Sequence, residues 1–223
     1  MIIAIDGPSG AGKSTVSKLV ATELGFCCLD TGAMFRSVAW LALEQGISFE
    51  DGERLGQLAA SSPISFVHEA HDPSPKQVFI SGVDVTGEIR TARIDKSVSK
   101  VSCHPQVRSA LLDQQRRIAQ AGDYVIEGRD IGTVVFPDAQ VKVFLTASNQ
   151  ERARRRVEQN RARGIGSVDF EEVLADIIKR DEADSKRDAA PLRPAEDAFM
   201  LDSSHMTTEE VVSTICDLAR SKG

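Results

Sequence analysis

The chain has 223 residues, of which 41% are hydrophobic and 27% charged, which is typical of a globular protein with room for one α/β domain and an insertion, or for two small domains. Its formal net charge of −6 at pH 7 argues against general nucleic-acid binding, so we expect no nucleic-acid partner. The four cysteines form no C-x-x-C pair, and the chain shows neither a signal-peptide pattern nor an apolar stretch of membrane-spanning length, so we expect a cytoplasmic protein with no membrane partner.

The first predicted element is an apolar strand, Ile2–Ile5, and a glycine-rich segment that fits G-x-x-x-x-G-K-[ST] follows it. A helix-like stretch continues to Leu24. In this setting backbone N–H groups and the positive end of the helix surround a polyphosphate, the lysine reaches the β- and γ-phosphates, and the serine binds Mg²⁺. The alternative is a glycine turn with a solvated lysine. The predicted ATP-binding residues are Gly7, Pro8, Ser9, Gly10, Ala11, Gly12, Lys13, Ser14 and Thr15, with Ser14 as the metal ligand.

Apolar runs with polar or glycine residues at their carboxyl ends recur along the chain, with helical patterns between them. The predicted strands are Ile2–Ile5, Phe26–Leu29, Tyr124–Ile126, Val141–Leu145 and Phe199–Leu201. Alternating strands and helices predict an α/β fold, here a five-stranded parallel sheet covered by helices. In such sheets ligands bind beyond the carboxyl ends of the strands.

The region from about Pro63 to Ile89 has a different pattern. Ile64–Val67, Val78–Ile80 and Val83–Val85 are short strand-like runs separated by turn residues. They predict a small antiparallel β insertion in the α/β core. A partly ordered loop is the alternative.

The segment Glu127–Gly132 directly follows the third predicted strand and holds an Arg–Asp pair, Arg129 and Asp130, between two glycines. A lone Arg–Asp pair is usually a salt bridge. At the carboxyl end of a strand, however, such loops commonly carry ligand contacts, so we favour a functional role.

Positive charge is concentrated after the fourth predicted strand, on a helix and loop that end at Gly164. The cluster consists of Arg152, Arg154, Arg155, Arg156, Arg161 and Arg163. A solvated helix face is one interpretation. Because the protein is acidic and the cluster follows a strand end, we favour a short Arg-rich lid, about residues 150–168, that closes over the transferring phosphoryl group. We expect Arg152, Arg155 and Arg156 to face the phosphates, with Arg155 in a catalytic role.

The next predicted helix carries Arg180, Asp184 and Arg187 at i, i+4 and i+7, so these side chains share one face. That face flanks an apolar stripe, where the wall of a cleft would lie. An ordinary surface salt-bridge ladder explains the spacing equally well, and both interpretations stay open at this point.

At these residues the sequence resembles the bacterial cytidylate (CMP) kinases, a family of nucleoside monophosphate kinases. The similarity runs along essentially the whole chain. The segments that carry it are Ile5–Ser14, Asp30–Arg36, Gly87–Thr91, Gly128–Pro137, Arg180–Asp181 and Ala190–Leu192. The resemblance implies transfer of the γ-phosphate of ATP to CMP and dCMP, with Mg²⁺ as the cofactor.

The resemblance also implies which residues form the site. The CMP-binding residues carried over by position are Thr31, Arg36, Ser99, Arg108, Arg129, Asp130, Arg180, Asp184 and Arg187. Thr31 would lie against the acceptor, and Arg36 and Arg129 would hold its phosphate. The residues that would contact ribose and phosphate are Arg180, Asp184 and Arg187. The expected catalytic residues are Lys13, Arg129, Arg155 and Arg187.

Ser99, Arg108 and Asp130 would meet the cytosine, and the chemistry of the base supports this assignment. Its N4 amino group donates hydrogen bonds and matches a carboxylate or a hydroxyl, whereas N3 and O2 accept and match an arginine. Uracil carries an acceptor at position 4 and a donor at N3, so both contacts would be mismatched.

Two positions depart from the family pattern. Glu127 stands where the strand-end motif usually has aspartate, and we leave it out of the metal ligands, although a longer carboxylate can bind Mg²⁺ through water. Phe35 replaces the commoner tyrosine, so a hydroxyl hydrogen bond is lost while packing or stacking can survive.

The expected domain organisation follows the same resemblance. Residues 1–35 and 105–223 would form the P-loop core, which includes the lid, and residues 36–104 would form the CMP-binding region with the β insertion at about 63–89. We expect a monomer with ATP and CMP or dCMP as its small-molecule partners.

Two other functions remain open from the sequence. One is a kinase for another small acceptor, such as UMP, AMP or shikimate. The other is a non-catalytic P-loop switch or nucleotide sensor, although the N-K-x-D signature of guanine-specific switches is absent.

Overall fold

The computed structural model describes residues 1–69, 72–120 and 122–222. Its strands are β1 (Ile2–Asp6), β2 (Cys27–Asp30), β3 (Ile64–His68), β4 (Pro75–Ile80), β5 (Val83–Asp84), β6 (Tyr124–Gly128), β7 (Val141–Thr146) and β8 (Phe199–Asp202). Its α-helices are α1 (Lys13–Leu24), α2 (Thr31–Glu44), α3 (Gly52–Ser61), α4 (Ala92–Ser102), α5 (Pro105–Ala119), α6 (Asn149–Arg163), α7 (Phe170–Lys186) and α8 (Thr208–Arg220). A 3₁₀ turn spans Glu88–Arg90, and a π-turn spans Ile131–Val135.

The main sheet has five parallel strands in the order β2-β6-β1-β7-β8, which confirms the predicted fold class. The five predicted strands are all present, and each runs one residue further at its carboxyl end, except β6, which runs two residues further to Gly128. Strand β2 begins at Cys27, one residue later than predicted. Strand β1 lies in the centre, and its carboxyl end therefore has neighbouring strand ends on both sides. This order places the loop after β1 beside the loop after β6.

The two faces of the sheet are covered by separate hydrophobic clusters. Ile3 and Ile5 point to the face that α1 and α8 cover, whereas Ala4 points to the face that α2 and α5 cover. All three side chains are fully buried, and burying an isoleucine contributes about 1.5–3 kcal/mol to folding. The sheet is thus a rigid support for the loops at its carboxyl edge.

The predicted insertion is a three-stranded antiparallel sheet in the order β3-β4-β5. Its buried residues Ile64, Val78 and Ile80 belong to the same hydrophobic cluster as Leu29 and Ile126 of the main sheet. The carbonyl of Pro73 also accepts a hydrogen bond from the Cys28 N–H, at 2.8 Å, along the outer edge of β2. The insertion therefore packs directly on the parallel sheet.

Helix caps set the starts of the elements that reach the cleft. Asp30 caps α2 by accepting from Ala33 N at 3.1 Å. A capping box between Thr207 and Glu210 is complete in α8. At α6 only half of such a box forms, because Ser148 accepts from Glu151 N while the Glu151 carboxylate binds arginines of the same helix.

Candidate active site

The carboxyl ends of β1, β2 and β6 open into a cavity of about 1080 Å³. Its walls come from the glycine-rich loop on one side and from α2, α4, α6 and α7 on the others. Positive side chains are concentrated there, in a protein whose net charge is negative. The predicted ATP-binding loop and most of the predicted acceptor-binding residues line this one space.

The glycine-rich loop needs glycine at several positions. Gly10 and Gly12 have φ angles of 78° and 92°, which other residues rarely adopt. At Gly7 a Cβ atom would lie 1.9 Å from the carbonyl oxygen of Leu145, so only glycine allows this approach to β7. The loop ends at the amino terminus of α1, where free N–H groups and the helix dipole favour an anion.

Lys13 is buried in this loop and donates to the carbonyl of Pro8 at 2.8 Å. Burial lowers the pKa of Lys13, and the charge of Arg129 acts in the same direction. Burial and the charge of Asp30 raise the pKa of Glu127, while Lys13 and a hydrogen bond from Ser14 oppose this shift. A polyphosphate beside Lys13 would favour its charged form.

The carboxylate of Asp6 holds the loop that follows β6. Its two oxygens accept from Ile131 N and Gly132 N, each at 2.7 Å. Gly128 is also packed closely, because a Cβ there would lie 2.6 Å from Ile131 Cδ1. These contacts fix the backbone on both sides of Arg129 and Asp130, whose side chains point into the cavity.

We predict that Asp6 makes stability depend on pH. Burial raises the pKa of Asp6 from 3.8 to about 6, although its two backbone hydrogen bonds act against the shift. Since the folded pKa is the higher one, this contribution to stability is fully present below about pH 4 and is lost as the pH rises through about 6. The loss amounts to about 3 kcal/mol.

Urea unfolding of the wild type and Asp6→Asn between pH 4 and pH 7 measures this effect. The free energy of unfolding should fall with rising pH more steeply in the wild type than in the variant. The slopes decide the matter, because the substitution also removes one backbone acceptor and lowers stability at every pH. Parallel curves would contradict the prediction.

Along the cavity wall, buried charges alternate in one network. Arg129 Nε donates to Asp184 at 2.9 Å, and Arg187 lies 3.7 Å from the same carboxylate and 4.0 Å from Asp130. Arg108 donates to the other oxygen of Asp130. The predicted residues Arg108, Arg129, Asp130, Asp184 and Arg187 are thus in mutual contact, which rules out the surface salt-bridge ladder for the last two.

Phe35 packs beneath this network, with the guanidinium carbon of Arg108 5.2 Å from the centre of its ring. This distance is within the range of a cation–π contact. Phe35 therefore supports the guanidinium group of Arg108 through its ring. Thr31, just before it on α2, is buried and donates to the Glu127 carbonyl at 2.7 Å.

Arg36 and Arg180 place two more guanidinium groups at the cavity. Arg36 lies 3.4 Å from both Asp30 and Asp95. Arg180 Nε is buried and has no hydrogen-bond acceptor among the described residues, and the same is true of Arg187 Nη2. Burial and neighbouring arginines lower the pKa of Arg180 and of Arg187 to about 10. Unmatched cationic donors at a cavity favour an anionic ligand.

The three lid arginines singled out by the sequence have different positions. Arg155 lies over the glycine-rich loop, where a Cβ at Gly12 would be 3.8 Å from its Nη1, and it donates to the Ser203 carbonyl at 2.7 Å. Arg156 reaches across the cavity to Asp95 at 2.9 Å. The third, Arg152, differs from both.

Arg152 is only 3% exposed, and its guanidinium group already binds other groups of the protein. It donates to the Ser9 carbonyl at 2.9 Å and pairs with Asp181 of α7 at 2.6 Å. Here the guanidinium connects the glycine-rich loop to both lid helices. Contact with a phosphate would require these partners to be given up.

Ser99 is the predicted site residue that the structure places least clearly. It lies on α4 but does not line the cavity, whereas Val98 and Ser102 of the same helix do. Its contact with cytosine stays a prediction. Asp6, Asp30 and Asp95 are charged residues at or beside the cavity to which we assigned no role from the sequence, because carboxylates after strands or early in helices are common.

Within the described ranges no helix combines the length and apolar character needed to cross a membrane. Over the same ranges, no three His, Cys, Asp or Glu side chains come together as a metal cluster.

Comparison with known proteins shows that residues 3–221 match the family model described as cytidylate kinase. The chain belongs to the cytidylate kinase family. It is therefore a kinase, and it phosphorylates CMP and dCMP as predicted from the sequence.

Individual members of the cytidylate kinase family are similar over their full length. The cytidylate kinase of Saccharophagus degradans is 46% identical and is covered to 98%, with 100% of this chain aligned. That of Pseudomonas paraeruginosa is 47% identical, with 100% of this chain and 96% of the relative aligned. The bifunctional pantoate ligase/cytidylate kinase of a Synechococcus strain is 48% identical, but this chain, aligned over 98% of its length, spans only 40% of it.

Proposed function

We propose that the cavity is a two-substrate site in which ATP and CMP or dCMP lie head to head over the sheet edge. The observation that carries this proposal is that the glycine-rich loop and an arginine cluster with unmatched buried donors face the same space. Two polyanionic ligands fit such a site, because both the glycine-rich loop and the arginine cluster favour negative charge.

In the donor half, residues 7–15 bind the polyphosphate of ATP. The backbone N–H groups at the start of α1 surround the phosphates, and Lys13 moves from the Pro8 carbonyl to the β- and γ-phosphates. Arg155 covers the loop from the opposite side. These groups neutralise charge that develops on the transferring phosphoryl group.

The residues beside Lys13 fit Mg²⁺. Ser14 supplies a hydroxyl oxygen, and Glu127, which hydrogen-bonds it, supplies a carboxylate. Mg²⁺ in kinase sites is commonly bound by one or two protein groups together with substrate phosphates and water, so a larger protein cluster is unnecessary. When bound, Mg²⁺ would offset the negative charge of the phosphates. We propose Ser14 as its ligand, with Glu127 in reach through water.

In the acceptor half, Arg36, Arg129, Arg180 and Arg187 hold the phosphate of CMP, and Asp184 keeps two of them in place. Arg129 and Arg187 both contact Asp184, so their guanidinium groups are fixed before substrate binds. Preorganised donors of this kind need little rearrangement in the transition state. Thr31 lies at the base of this half, against the chain of β6.

The base lies against Asp130 and Arg108, with Ser99 as a further contact. These two side chains form an ion pair that offers a carboxylate beside a guanidinium, the pattern that cytosine N4, N3 and O2 require. The reaction needs no covalent enzyme intermediate. The bond between the γ-phosphorus and the oxygen of the β-phosphate breaks, ADP leaves, and a phosphate oxygen of CMP attacks the γ-phosphorus in line. Because that oxygen is already anionic, positioning and charge neutralisation suffice.

We propose the following division of labour along the chain. Residues 1–35 and 105–223 form the P-loop core, which binds ATP and also supplies most of the acceptor-site residues. Residues 36–104 form the CMP-binding region, to which Arg36 and Ser99 belong, and the lid at about 150–168 closes over both substrates. We also propose that the enzyme is a monomer.

A coupled phosphotransfer assay with ATP tests this proposal. The acceptors are CMP, dCMP, UMP, AMP and shikimate, each with Mg²⁺ and with EDTA in its place. We expect turnover with CMP and dCMP, much slower turnover with UMP, background rates with AMP and shikimate, and none with EDTA. Equal rates on CMP and AMP would contradict the base assignment, and full activity in EDTA would contradict the metal assignment.

A further inference from the structure

Asp95 lies in the cavity among positive charges, and none of the roles assigned above involves it. It stands in the first turn of α4, and its side chain is 26% exposed. One oxygen lies 3.4 Å from Arg36 Nε of α2, and the other lies 2.9 Å from Arg156 Nη2 of α6. A single carboxylate thus joins the acceptor-binding region to the lid.

This geometry is the one that a substrate phosphate would adopt. A phosphate monoester typically uses separate oxygens to bind two guanidinium groups, as Asp95 does here. Arg180 is also close enough for its positive charge to interact with the negative charge of Asp95. Asp95 therefore occupies the space where arginines from three helices converge.

We propose that Asp95 is a substrate-displaced carboxylate that sets the affinity for the acceptor: it occupies the acceptor-phosphate subsite, links α4 to the lid helix α6, and is expelled when the acceptor phosphate binds. This inference rests on the proposed role of Arg36 in holding that phosphate. Asp95 acts through Arg36 and Arg156, so it is a positioning residue.

Displacement is favourable for three reasons. A phosphate monoester carries a charge near −2 at neutral pH, against −1 for the carboxylate, so it binds the arginines more strongly. The released side chain is already partly exposed, and the positive end of α4 stabilises its charge. Arg36 also keeps Asp30 as a second partner throughout. Competition by Asp95 nevertheless weakens acceptor binding.

Steady-state kinetics of Asp95→Asn and Asp95→Ala test the proposal. Both variants should lower KM for CMP about three- to tenfold, leave KM for ATP unchanged, and change kcat by less than about twofold. Calorimetric titration of CMP should show the same gain in affinity without turnover. Asp197→Asn is the matched control, since it removes the same charge from an exposed side chain that pairs with Lys142 outside the cavity, and it should leave every constant unchanged.

A double-mutant cycle with Arg156→Gln adds a second test. In that background Asp95→Asn should lower KM by a smaller factor, because one of the two displaced contacts is already missing. An unchanged or raised KM in Asp95→Asn would overturn the proposal and would show that the carboxylate only orients Arg36. Arg36→Gln, measured in parallel, tests the proposed phosphate site itself. If the affinity for CMP did not depend on Arg36, that site would fail, whatever the result for Asp95.

Discussion

Lys13→Ala is expected to lower kcat for CMP phosphorylation by at least about a hundredfold, because it removes the cation that the glycine-rich loop directs at the transferring phosphate. Removal of one such preorganised donor typically lowers kcat by a factor of about 10² to 10³. The coupled assay with saturating ATP and CMP measures this loss.

The fold should survive the Lys13→Ala change. Glu127 loses its positive neighbour, but burial already raises the pKa of that carboxyl, so it can become protonated and neutral. Circular dichroism and thermal unfolding check this point. Lys100→Ala is the control, since Lys100 is exposed and pairs only with Glu50 at 3.5 Å. A folded Lys13→Ala enzyme with near-normal turnover would refute the role assigned to the loop.

Asp130→Ala is expected to lower kcat/KM for CMP about 10²- to 10⁴-fold and to lower kcat/KM for UMP far less. The carboxylate matches the N4 amino group of cytosine, and uracil offers an acceptor at that place, so only CMP loses a favourable contact. The measured quantity is the ratio of the two efficiencies.

This ratio is needed because Asp130 also contacts Arg108 and Arg187, and its loss leaves buried cations without a partner. Such structural damage would lower both efficiencies alike. Asp184→Asn provides a matched control from the same buried network, because Asp184 pairs with Arg129. This variant should lower kcat/KM for CMP and for UMP by the same factor. Equal losses on CMP and UMP in Asp130→Ala would show that this residue does not read the base.

Local patterns were enough to predict the sheet and the glycine-rich loop. The strands are short apolar runs, and the central strands β1 and β6 are buried on both faces. The glycine-rich loop is recognised from the eight consecutive residues Gly7–Ser14. The order of the strands, which brings Gly128–Gly132 beside this loop, is a long-range property that follows from the pairing of β1 with β6.

Side-chain partners in the lid were harder to predict. Arg152 and Arg155 are separated by one helical turn and look alike in sequence, yet the former is bound to Ser9 and Asp181 while the latter faces the loop. The difference depends on α7 and the glycine-rich loop, which are distant in sequence. The roles of Asp6 and Asp95 were missed for the same reason, since their partners lie on other elements.

The helix pair α6 and α7 has a small hydrophobic cluster of its own, built on Ala153, Val157, Val173 and Ile177. Its contacts to the rest of the protein described above are ionic or polar, and they include the partly exposed ion pair of Arg156 and Asp95. Ionic strength screens such contacts but hardly weakens the burial that stabilises the sheet. Salt concentration should therefore act on the opening of the lid, and so on the exchange of substrates and products, separately from the stability of the fold.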